Sequence, residues 1–459
     1  MTRERSTSAT TGDEPTGSSP VSSLPFLPRA RRRRPLTPWR DHLRDGLWFA
    51  PLIGLASGWA LATFMLALDR WIPSYLEDHD RPWLREGYEW FLDVASGAKE
   101  AIGTMSSAML TFIGVVFSIT LVALQMASQF TPRVVRVYVR SRVTKTTFAV
   151  FLMTFLYALR VQKEFGGSDS DPPALAASLA MGLVVTSLVV FVVYVHSTIR
   201  LMRVTYVIGY VTREALNVLA AQAYAPPVPA LPDEPVALIP YRGSPGVLRD
   251  VDVTRLVFLA RRHDVVIVLI PRVGDYLTHG MPLAEIHGTP NRRGAPAAAK
   301  VWPCLSIGVE RTMHQDLTFG LRQLVDIASK ALSPGINDPT TAVQALDRIH
   351  ALLTLMSGIA LGDRAHFDRH DVLRVIEPVA VWSDVVELSL TEIRLYGAGS
   401  PQVTRRLSAV LGDLLEITPL ARCPELVRQQ LLLRQAVERT YPDTAGRTFA
   451  LEPDRQGIG

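Results

Sequence analysis

The chain is 459 residues long, 48% apolar, with a mean hydropathy of +0.18, both high for a soluble protein of this size. Its formal charge is +5, arginine outnumbers lysine, and its two cysteines, Cys304 and Cys423, lie far apart. These values argue against a disulfide framework or a cysteine-based zinc cluster and fit a reducing compartment; the basic excess points to nucleic acid or an anionic membrane surface.

Residues 1–28 are rich in Ser, Thr, Pro and Gly and hold few large apolar groups. They bury too little surface to offset ordering entropy, so a disordered basic tail is expected over 1–45. The first apolar run starts near Gly46, too late for a secretory signal.

Four hydrophobic spans are expected between residues 46 and 200: 46–68, 102–127, 144–159 and 174–195. Crossing a bilayer core takes about 20 apolar residues. The third span falls short of that and needs Lys145 and Arg160 as snorkelling ends, with a re-entrant or buried helix as its alternative. Flanking charge sets the orientation. Arginines precede span one (Arg29, Arg31, Arg32, Arg33, Arg34, Arg40, Arg44), separate spans two and three (Arg133, Arg136, Arg140, Arg142) and follow span four (Arg200, Arg203, Arg213). The other two loops are acidic. The positive-inside rule then puts both termini in the cytoplasm. The run Arg31–Arg34 suits anionic lipid head groups, at about 1 kcal/mol per basic residue, better than nucleic acid.

An apolar stripe from Ile199 to Ala221 continues the fourth span as one helix over 201–222, up to a Pro-rich linker at 223–235. Residues 236–310 carry strand signals: DVVIVLIP (264–271), and VGDYLTHGMPLAEI (273–286) with turns at Gly274 and Gly280. VTRLVFLARRHD (253–264) reads as a helix set before them. A small β-barrel or sandwich is expected, and 273–286 looks like the turn-and-strand pattern of lipoyl-type modules, without their modifiable lysine. Residues 311–445 are mostly helical, over 316–332, 338–358, 383–397, 400–417 and 424–441, with Ser383 and Ser400 at N-cap positions and a strand at 371–379. A tail over 446–459 follows.

Three constellations bear on chemistry. On span two, Thr104, Thr111, Ser118 and Gln125 recur every seven residues, flanked by Ser107, Gly114, Ser128 and Gln129. They share one helix face, which serves either helix packing or a polar pathway around an oligomer axis. The second gathers Arg311, Asp316, Arg322, Asp326, Asn337, Asp338, Thr340 and Thr341 between two helix starts. Capping by Asp316 and Asp338 and an Arg322–Asp326 pair explain part of it; helix N-termini beside arginines also suit an anionic ligand, such as a phosphate or lipid head group. The third, His366, Asp368, His370 and Asp371, has a metal-like spacing if helical and otherwise reads as a solvated loop. His196 reads as an interface residue and His263-Asp264 as a helix end. No phosphate loop, nucleophile elbow or paired cysteine motif appears, so neither an enzyme nor a cofactor is expected.

GVVFSITLVALQMASQFTPR (114–133), FGLRQLVDIASKALSPGINDPTTAVQALDRI (319–349) and VGDYLTHGMPLAEI (273–286) resemble a bacterial family of predicted membrane proteins, a domain of unknown function, over residues 41 to 440. That resemblance implies four spans, a soluble C-terminal domain and no established activity. The expected architecture is an α-helical transmembrane domain of four helices joined to a cytoplasmic α+β domain. The expected function is that of a membrane-anchored sensor, scaffold or regulator, with an oligomeric channel lined by span two as the alternative.

Overall fold

A computed structural model describes residues 46, 48–78, 82–96, 98–130, 141–165, 173–222, 228–229, 231 and 234–456. The Arg31–Arg34 run, Arg133, Arg136, Arg140 and most of the expected linker lie outside the described residues.

Five helices open the described chain: α1 (Phe49–Asp78), α2 (Pro82–Ser96), α3 (Ala98–Phe130), α4 (Arg142–Glu164) and α5 (Ala174–Leu201). Among the described residues, three segments are able by length and composition to cross a membrane: Phe49–Leu76, Glu100–Met126 and Ala174–Leu201. Helix α4, which holds the third expected span, has 23 residues but is too polar to join them. Its position explains its composition. It packs against α1, α3 and α5, and buries Thr144, Thr147, Thr154 and Tyr157. Polar groups shielded from lipid persist when they find partners. Thr154 and Ser187 hydroxyls lie 3.0 Å apart, and the Tyr157 hydroxyl donates to the Ala176 carbonyl at 3.0 Å. On α1, Gly54 and Gly58 let the two backbones meet: a Cβ on Gly58 would lie 2.5 Å from the Met153 carbonyl oxygen. This is close small-residue packing of the membrane type.

The expected continuous helix through residue 222 is interrupted. Helix α5 ends at Leu201, Met202 closes it by donating its N–H to the Thr198 carbonyl, and α6 (Val204–Gln222) begins after Arg203. Helix α6 is itself part of the C-terminal domain: Val207, Ile208, Val211, Ala215, Val218 and Leu219 are buried in the core of the C-terminal helices. Ala123 of α3 and Leu201 of α5 join that same core, so the span ends and the C-terminal domain are packed together.

The strands are β1 (Ala237–Pro240), β2 (Gly246–Val251), β3 (Val266–Leu269), β4 (Tyr276–Leu277), β5 (Pro282–His287), β6 (Leu305–Gly308), β7 (Arg364–Phe367) and β8 (Leu373–Glu377), with α7 (Val253–His263) and α8 (Ala298–Val301) between them. They form two sheets, in the orders β1-β5-β3-β8-β7 and β4-β2-β6. The single compact β-unit expected over 236–310 is therefore corrected: β3 pairs in parallel with β8, which comes from the later, helical part of the chain. A central strand must pair on both edges, and the partner that satisfies β3 lies more than a hundred residues away.

The remaining helices are α9 (Leu317–Ala331), α10 (Pro339–Ser357), α11 (Trp382–Gly397), α12 (Pro401–Ile417), α13 (Cys423–Thr440) and α14 (Thr444–Leu451). Two local expectations differ. Helix α11 starts from Val381 rather than Ser383, and Ser400 occupies the N-cap of α12 without making a side-chain cap bond. The expected tail is helical up to Leu451, because α14 packs on α12, buries Ala450 and sets Phe449 under the Arg405 guanidinium.

Candidate functional site

A cleft of about 320 Å³ lies where both parts of the C-terminal domain meet α6. One wall is the turn before β4. Gly274 has φ +105°, a conformation open to glycine, and a Cβ there would lie 2.5 Å from Asp316 Oδ2. Behind it, Asp316 caps α9 by accepting the Phe319 N–H at 2.9 Å and the Thr318 hydroxyl at 2.7 Å. Arg311 grips the same carboxylate with Nε at 2.8 Å and Nη2 at 3.0 Å. Burial pushes the Asp316 carboxyl above the ordinary range, outweighing the pull of Arg311 and the hydrogen bonds.

The opposite wall comes from β7 and β8. Arg364 faces Glu377 across the ladder and pairs with it at 2.7 Å, while His366 Nε2 lies 3.0 Å from the other carboxylate oxygen. Burial alone would raise Glu377, but His366 and Arg364 together hold it below the ordinary range. Arg364 Nε is buried without a hydrogen-bond partner, the kind of group that a bound water or ligand normally satisfies. At the mouth, Arg272 pairs with Asp384, and its backbone N–H donates to Asp275 at 2.8 Å. The floor is closed by amides: Gln222, the last residue of α6, donates to the Gln315 carbonyl, and Gln315 exchanges two hydrogen bonds with the Val251 backbone, at 3.0 and 3.1 Å. Leu317, Met356, Leu361 and Leu388 add apolar surface. Charged side chains beside amide and apolar surface suit the binding and orientation of a small polar molecule.

Of the residues singled out in sequence, Arg311 and Asp316 line this cleft. Arg322 and Asp326 stand further along α9, with Arg322 Nε donating to Asp326 at 2.6 Å and its two terminal nitrogens donating to Glu392 on α11. That fork tightens the α9–α11 contact and holds Glu392 below the ordinary range. Asn337, Asp338, Thr340 and Thr341 sit beyond the far end of α9, about 20 Å along its axis. Asn337 takes φ +49°, and Asp338 caps α10 through the Thr341 N–H at 3.0 Å and its hydroxyl at 2.6 Å. Thr340 accepts from Gln402 at 3.5 Å. The expected set is thus divided between two helix ends.

On α3, Thr104, Ser107, Thr111, Ser118 and Gln125 are exposed, while Val116 and Ala123 turn inward; the side chains of Ser128 and Gln129 lie outside the described residues. Thr104, Ser107 and Thr111 donate to carbonyls one turn back, at 3.0 to 3.3 Å. His366 and His370 share no helix face, since His366 is on β7 and His370 lies in the turn before β8. Asp368 binds Arg374 at 2.9 Å, which with the backbone N–H groups of His370 and Val372 holds its carboxyl down to about 2. Asp371 takes φ +56° in the same turn. His263 Nδ1 lies 2.8 Å from the Gly294 carbonyl, Asp264 ends α7 at φ +56°, and His196 is exposed near the end of α5. Among the described residues no cluster of three or more His, Cys, Asp or Glu side chains is placed to hold a metal.

Sequence reading missed Arg272, Gln222, Gln315, Arg364, Glu377 and Glu392. The one available signal was strand alternation: Arg364 and His366 are two apart and share a face. The others are joined only by long-range pairing.

The chain belongs to the family described as Predicted membrane protein (DUF2254), which matches residues 44–413. It is similar to uncharacterized proteins of Mycobacterium bovis and Mycobacterium tuberculosis, each 28% identical over 434 residues, covering 90% of this chain and 80% of theirs. No solved structure matches.

Proposed function

We propose that this member of a family of predicted membrane proteins is a ligand-responsive regulator of the bacterial inner membrane, non-enzymatic, anchored by four helices with both termini in the cytoplasm. The observation that carries the reading is the lining of the cleft, which includes the end of α6 beside α9, β8 and α11. Helix α6 follows α5 after a two-residue break and packs on α9 and α10. A ligand that favours one width of the cleft biases α6 and, through the shared core, the span ends. The ligand class is a small anion, for which Arg364 Nε supplies the unpartnered donor and Arg272 and Arg311 the neighbouring positive charge. The fourth crossing is assigned to α4, because a helix screened by three others needs fewer apolar residues than one facing lipid. The Arg31–Arg34 run is assigned to anionic head groups.

The test uses the whole chain, since removing α6 would strip the core it fills. Native mass spectrometry of the purified protein and of Arg364→Ala would show a co-purifying anion only in the former. Identical, empty spectra for both, with no thermal shift from inorganic phosphate or phosphorylated metabolites, would overturn the reading.

A second reading, an oligomeric channel, is favoured by one observation: Thr104, Ser107, Thr111, Ser118 and Gln125 of α3 are exposed on a single chain. In it, copies of the chain meet along this face. Ion flux through reconstituted vesicles that is unchanged by Thr111→Leu with Ser118→Leu would exclude it.

A further inference from the structure

We infer that α2 lies in the plane of the membrane, within the head-group layer on the face remote from the C-terminal domain, with Trp90 seated among the lipids. The inference is independent of the ligand and channel readings and needs only that the chain is a membrane protein.

Position comes first. Helix α2 packs against α5, and Tyr88, Phe91, Leu92 and Ala95 join a cluster with Leu66 of α1, Ile102 of α3, Val161 of α4 and Ala174 of α5. Those residues mark the later parts of α1 and α4 and the starts of α3 and α5, which are one end of the bundle. The opposite end carries Ala123 and Leu201, which are packed into the C-terminal core. Helix α2 therefore sits at the far membrane face.

The faces of the helix come next. At about 100° per residue, Tyr88, Phe91, Leu92 and Ala95 form the packed side, and Arg85, Glu89 and Asp93 fall four apart on an exposed stripe with Glu86 beside it. Trp90 lies on neither. It is 63% exposed, on the flank between the two, with its ring edge-on to Phe91 at a centroid distance of 4.9 Å. Trp71, near the same end of α1, is 55% exposed and stacks on Tyr75 with ring centroids 4.8 Å apart. Exposed indoles at the ends of apolar spans match the aromatic belt of a membrane interface, where the ring is apolar and its N–H is wet. An amphipathic helix with one charged face takes the in-plane setting there. Three of the four charged residues of its stripe are acidic, so the stripe faces water, and burial of Trp90 rather than attraction to anionic lipid joins the helix to the bilayer.

The experiment is site-directed spin labelling of the full chain carrying Cys304→Ala and Cys423→Ser, reconstituted in phosphatidylcholine vesicles. Labels are placed by Trp90→Cys and, separately, Glu89→Cys. Collision with oxygen, which partitions into lipid, is compared with collision with a water-soluble nickel chelate. The oxygen-to-nickel ratio at position 90 should exceed that at 89 by about threefold or more, as for neighbouring lipid and water faces of an interfacial helix. It should not change when phosphatidylglycerol is added. Trp71→Cys against Glu86→Cys repeats the contrast with Trp90 intact. Equal nickel access at 89 and 90 would place α2 in water, and position 90 shielded from both reagents would place protein over it; either result overturns the inference.

Discussion

The Asp69 carboxylate on α1 accepts the N–H of Ala176 at 2.9 Å, and its other oxygen accepts the N–H of Leu175 at the same distance. Pro173 stands at the N-cap of α5 and offers no side-chain acceptor, so the cap comes from a different helix. Uncapped N–H groups at a buried helix start are costly. Asp69→Ala should destabilise the bundle by about 1–3 kcal/mol, and Asp69→Asn by less, because one acceptor remains. Thermal unfolding in detergent measures this, and equal midpoints for wild type and Asp69→Ala would refute it.

Gly58 should tolerate no larger side chain. Its Cβ position already overlaps the Met153 carbonyl, so Gly58→Leu must force α1 and α4 apart. The expected loss is at least about 3 kcal/mol, in the range of severe overpacking. A disulfide reporter pair across α1 and α4, formed in the parent and lost in the variant, would register the separation. Retained cross-linking with unchanged stability would contradict it.

Arg322 and Glu392 should couple. The pair joins α9 to α11 at 2.6 Å, with side chains 25% and 35% exposed. Partial exposure limits the double-mutant coupling energy to about 1–2 kcal/mol, less than a buried bidentate pair. Arg322→Ala, Glu392→Gln and the double variant, unfolded in urea, provide the cycle. Additive losses would show that the fork contributes nothing to the contact.

His350 should make the C-terminal domain sensitive to acid. Burial, and then the Arg406 guanidinium, hold the imidazole below its ordinary value, and Arg406 Nη2 lies 3.3 Å from Nδ1. A base depressed in the folded state binds its proton more readily when unfolded. Its stabilisation is therefore present above about pH 6.5 and is lost as pH falls through the folded value. The slope of stability between pH 7 and 5 should flatten in His350→Gln, and an unchanged slope would assign the acid sensitivity to other groups.

What was legible in sequence was what repeats along one helix or lies within one turn. Apolar runs marked α1, α3 and α5 because a lipid-facing helix must be apolar along its whole length. The caps at Asp316 and Asp338 were readable because an N-cap and its target N–H are three residues apart. The partners of Arg322, Arg364 and Gln222 were not, because Glu392, Glu377 and Gln315 stand far along the chain or on another element, and no local period encodes them. Helix α4 was faint for the related reason that three neighbours replace lipid around it and relax the demand for apolar residues. By itself the sequence determined membrane anchoring and the helical segments, through hydrophobic length and local capping. Only the tertiary structure decided that β8 completes the sheet of β3, that α6 is part of the C-terminal core, and that Asp69 caps another helix. Each of these is a hydrogen bond or buried face whose partner is selected by packing in space, not by distance along the chain.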